Sequence, residues 1–67
     1  MWAIRAKIGF VIKCGSDYMV AESRDDKRNE VLFVRKSSAL KVYREMFKDD
    51  SELRQEFAVV KCEQEDL

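Results

Sequence analysis

The sequence predicts a small α+β domain, an antiparallel sheet of three to four strands curled around one helix packed on a single face, in the order β-β-β-α-β. Three observations carry this. Apolar and polar residues alternate along residues 2–14, apolar residues recur at helical spacing after residue 38, and strand-forming residues return in "FAVVKC" near the C-terminus.

The first segment, "WAIRAKIGFVIKC", places Trp2, Ile4, Ala6, Ile8, Phe10, Ile12 and Cys14 on one side and Arg5, Lys7 and Lys13 on the other. That is the pattern of a half-buried strand, unusually long, with Gly9 as a bulge or bend. "CGSD" supplies turn chemistry through Gly15 and Asp17, and "YMVAE" resumes the alternation, so residues 10–22 are expected to form a hairpin. "SRDDKRN" has no apolar residue and is expected as an exposed loop. "EVLFVRK" holds Val31, Leu32, Phe33 and Val34 in succession, as a centrally placed third strand would.

Ser37 or Ser38 is expected to cap the helix that follows. Ala39, Leu40, Val42, Tyr43, Met46 and Phe47 share one face of it, and Lys41, Arg44, Glu45 and Lys48 the other. Leu53, Phe57 and Val60 would continue that stripe in a single long helix. Asp49 and Asp50 disfavour this at a helix C-terminus, so the expectation is a helix to about residue 49, a turn over residues 51–55 and a fourth strand over residues 56–62.

Residues 1–67 are read as one domain, with the acidic end from about residue 63 frayed. A chain this short buries only about 60% of the surface its unfolded form exposes, so its core is thin. A helix of about 17 Å cannot cover a strand of about 40 Å, and the uncovered end is expected at Trp2 and Ile4.

Several classes of function fit poorly. With no histidine, and serines confined to turns and a helix start, no nucleophile and base pair stands out. Asp25, Asp26 and Glu30 lack the regular spacing of a calcium loop. Cys14 and Cys62 form no CxxC pair and read as plain buried thiols, a disulfide being the alternative if the first and last strands are neighbours. No enzyme activity, metal, cofactor or small-molecule ligand is expected. Neither a membrane span nor a secretion signal is seen, and a cytoplasmic location is the expectation.

Charge is zero overall but segregated. Residues 1–48 hold eleven Lys and Arg against six Asp and Glu, and residues 49–67 hold two against seven. The acidic set is Asp49, Asp50, Glu52, Glu56, Glu63, Glu65 and Asp66. The basic helix face comprises Arg35, Lys36, Lys41, Arg44 and Lys48, which raises nucleic-acid binding as an alternative. Another is a structural subunit of an assembly.

The first expectation is a non-enzymatic protein-binding module that also forms a homodimer. Its interface is expected at Trp2, Ile4, Arg5 and Lys7 on the first strand, which would recruit a partner strand if it lies at a sheet edge, and at Tyr18 and Met19 on the second. The chain is similar in type alone to tiny, motif-free, β-rich proteins of phages and other mobile elements. That likeness implies an inhibitor or modulator of a larger host enzyme.

Overall fold

A computed structural model describes residues 1–62. It is a small α+β fold. Four strands, β1 (Trp2–Arg5), β2 (Phe10–Cys14), β3 (Asp17–Ala21) and β4 (Ala58–Lys61), make an antiparallel sheet in the order β3-β2-β1-β4. Between β3 and β4 come a 3₁₀ helix (Arg24–Asn29), α1 (Lys36–Met46) and α2 (Ser51–Glu56).

The expected first strand is two strands. The chain reverses over residues 6–9, closed by the Ala6 N–H donating to the Gly9 carbonyl at 2.8 Å, and Arg5 lies opposite Phe10. Opposite residues of an antiparallel pair share a face, so Trp2 and Ile4 point one way while Phe10 and Ile12 point the other. The unbroken alternation therefore serves both faces of the sheet. Gly9 lets the turn close against the core, because a Cβ there would stand 3.1 Å from the Phe57 ring.

The β2–β3 hairpin forms as expected, with Gly15 at φ 64° in its two-residue turn and five pairs from Cys14↔Asp17 to Phe10↔Ala21. Gly at the first turn position matches the chirality that suits twisted strands. The polar run after it is a 3₁₀ helix, capped by the Ser23 hydroxyl accepting from the Asp25 N–H at 3.2 Å.

"EVLFVRK" lies centrally but is not a strand. Glu30 bridges Ile12 on β2 and Phe33 bridges Trp2 on β1, both antiparallel. Since β1 and β2 themselves run in opposite directions, the segment must reverse between its two bridges. It wedges β1 and β2 apart beyond the Arg5↔Phe10 pair. β1 is thus an interior strand, bonded to β4 along its length and to Phe33 on its other side, so the edge position that partner-strand recruitment by the first strand required is not met.

α1 begins earlier than Ser37 or Ser38 would have set it. Its N-cap is Arg35, with no side-chain bond, and both serines lie within the helix. The expected turn over residues 51–55 is α2, because the Asp50 carboxylate accepts from the Leu53 N–H at 3.1 Å and caps a new helix. The Tyr43 hydroxyl donates to the Arg54 carbonyl and joins the two helices. The core lies between helices and sheet: Ile4 and Val11 below, Phe47 and Phe57 above, the two rings stacked with centroids 5.0 Å apart.

Candidate protein-binding surface

α1 and α2 occupy one face of the sheet and the register assigns the other, which is free of both and is reached at one corner by Lys27 of the 3₁₀ helix. Phe10 and Ala21, Ile12 and Met19, and Ala3 and Val60 are opposite pairs on the side away from α1 and α2. Ala3, Phe10 and Ala21 are buried there, Ile12 and Val60 are half-buried, and Met19 keeps 50% of its surface exposed. The side chains on this face are thus covered unevenly.

One corner of the face is closed by charge. Arg5 donates to both Glu30 carboxylate oxygens at 2.8 Å, and Lys27 lies 3.0 Å from one of them. The Glu30 side chain is 6% exposed. Burial pushes its carboxyl up, but the hydrogen bonds from Arg5 and Lys27 outweigh that and hold it below the ordinary carboxylate value. The Glu30 hydrogen bond in turn raises the Arg5 guanidinium. Lys27 also sits 4.8 Å from the centroid of the Phe10 ring.

The sequence-derived interface scatters. Ile4 is fully buried in the core and offers no surface. Trp2 is half-buried on the helix side with Lys36 5.3 Å from its ring centroid, and Arg5 is engaged by Glu30. Lys7 is exposed in the β1–β2 turn. Tyr18 and Met19 are neighbours on β3 at the border of the sheet but face opposite sides, Tyr18 half-buried against the core on the helix side and Met19 exposed on the other. Glu30, Ile12 and Val60 were missed, since their importance depends on which strands become neighbours.

Arg35, Lys36, Lys41, Arg44 and Lys48 are all exposed, as are Asp49, Asp50, Glu52 and Glu56, with Asp50 serving as the α2 cap. Glu63, Glu65 and Asp66 lie outside the described residues. On the helix side, Tyr18, Phe33, Ser38, Lys41, Val42 and Met46 line a shallow groove of about 490 Å³.

Cys14 is exposed, contrary to the expectation of a buried thiol, and Cys62 is half-buried. Both are free, and β1 lies between β2, which ends at Cys14, and β4, which Cys62 follows. Among the described residues no group of three or more His, Cys, Asp or Glu side chains could hold a metal ion, and the Glu30 carboxylate is engaged by Arg5 and Lys27. No helix among them is long and apolar enough to cross a membrane. Comparison with protein-family models, curated proteins and solved structures yields no match.

Proposed function

We propose that this chain is a non-catalytic protein-binding module that acts by occupying a surface of a larger protein, as an inhibitor or modulator of an enzyme would. The observation behind this reading is the helix-free sheet face, where Ile12, Met19 and Val60 stay partly exposed after folding. Apolar surface beside charged rims is what protein interfaces use for affinity. The exposed carboxylates Asp49, Glu52 and Glu56 would set on-rate and partner choice.

Affinity capture from a host lysate, comparing wild type with Val60→Asp and Lys41→Glu, tests the reading. One protein is expected to bind wild type and Lys41→Glu and to be lost with Val60→Asp. Capture that ignores Val60→Asp, or no specific capture, would refute it.

The nucleic-acid alternative draws on the five exposed cations at and around α1, none of which forms a salt bridge among the described residues. It requires a mobility shift that weakens steeply with salt and disappears in Lys41→Glu/Arg44→Glu.

A further inference from the structure

The hydrogen-bond phase of the β2–β3 hairpin decides what its outer edge displays. Val11 lies opposite Val20, yet the Val11 carbonyl accepts from the Val31 N–H at 3.1 Å, on the side away from β3. A strand residue directs its N–H and C=O to the same side, so Val11 and Val20 are a pair that exchanges no hydrogen bonds within the hairpin. Val20 therefore points both backbone groups off the outer edge. Tyr18, two residues away, does the same, whereas Met19 directs its own towards Ile12.

β3 ends the sheet, and apart from Asp17 at its first position its edge lacks the usual protections. Asp17–Ala21 contains no Lys, Arg or Pro, and its five pairs with β2 run without a bulge.

We propose that this edge pairs with the same edge of a second copy, antiparallel about a twofold axis at Met19, joining two four-stranded sheets into one. The choice of occupant rests on self-complementarity. Centring on Met19 sets Tyr18 of one copy against Val20 of the other, and these are the two residues with outward backbone groups. Asp17 then faces Ala21 and Ser16 faces Glu22, so no like charges oppose one another. On the helix-free face the two Met19 side chains meet beside the two Ile12 side chains, which covers the exposed half of Met19. This interface is isologous, as a closed dimer requires.

The inference goes beyond the binding reading: it assigns Met19, at the β3 border of that face, to the second copy and leaves the part around Val60, at the β4 border, to the partner. Light scattering over a concentration series should give twice the single-chain mass for wild type and the single-chain mass for Met19→Asp, which sets two carboxylates opposite each other. Val20→Pro should also give the single-chain mass, because it removes an outward N–H that the hairpin does not use. Circular dichroism should show both variants folded.

Cross-linking checks the register, with Cys14 and Cys62 replaced by Ser. Across the twofold axis the Met19 Cα atoms would be about 4.5 Å apart, within the roughly 4.4–6.8 Å that a disulfide spans. M19C should cross-link on oxidation and D17C, about 13 Å from its counterpart, should not. Single-chain mass for wild type at all concentrations, a dimer surviving both edge variants, or equal cross-linking of M19C and D17C would overturn the proposal. A dimer that captures no partner would refute the binding reading alone. A monomer whose capture is lost with Val60→Asp would refute the dimer alone.

Discussion

The two faces of the sheet are held by different forces. On the helix side Ile4, Val11, Phe47 and Phe57 exclude water and stack aromatic rings. On the other side one corner is fixed by the bidentate Arg5–Glu30 pair and by Lys27, and the remainder stays partly wet. A chain of 67 residues has apolar side chains for about one closed layer. The second face is stabilised instead by a directional ionic contact, which leaves apolar surface available for association.

Breaking the closed layer should have the largest effect. Phe47 is 2% exposed and contacts both Tyr43 and Phe57. Phe47→Ala should cost about 3–5 kcal/mol, against a total stability of roughly 3–10 kcal/mol for a domain of this size. Thermal melting should show the midpoint lowered by more than about 10 °C or no cooperative transition. A melt close to wild type would mean that the core does not depend on this face.

Breaking the ionic corner should cost less and depend on pH. Glu30→Gln keeps the shape but removes the charge from hydrogen bonds to Arg5 and Lys27, at a cost of about 2 kcal/mol near neutral pH. The folded state holds the Glu30 carboxyl below its ordinary value of 4.5, so as pH falls the unfolded chain takes up the proton first. The stabilisation is therefore complete above about pH 4.5 and is lost as pH drops through the lowered folded value. Urea titrations at pH 7 and pH 3.5 should show the difference between wild type and Glu30→Gln narrowing at the acidic end. A constant difference would remove the ionic contact as its cause.

The contrast between the faces was hard to read from the sequence, for a physical reason. The β2–β3 hairpin announces itself through Gly15, the helix through its stripe from Ala39 to Phe47, and β4 through "FAVVKC". A turn over residues 6–9 leaves the alternation intact while moving its apolar members to the opposite face, so Trp2 and Phe10 look equivalent in sequence and are not. Gly9 was the available clue, and it fits a bulge as well as a turn. The run at Val31–Leu32–Phe33 resembles a buried strand because it is central, but reversing between two antiparallel neighbours leaves no periodic signature. Met19 was legible as an exposed position because β3 is regular, whereas Tyr18, on the other side of the same strand, packs against the core. Ile4 was misplaced because the interior position of β1 depends on partners distant in sequence.

Neighbouring residues on β4 give the finest test of the contrast. Both are half-buried, but Val59 lies opposite Ile4 with its covered side against the core, while Val60 lies opposite Ala3 on the face away from α1 and α2. Valine to threonine changes shape little and adds a hydroxyl. Where that hydroxyl must leave water without a partner the cost is about 1–2 kcal/mol, and where water reaches it the change should stay within about 0.5 kcal/mol. Val59→Thr should therefore destabilise measurably and Val60→Thr should not, with the denaturant dependence unchanged in both. Equal costs would mean that the second face is sealed as tightly as the first, and a sealed face has no apolar surface left to offer a partner.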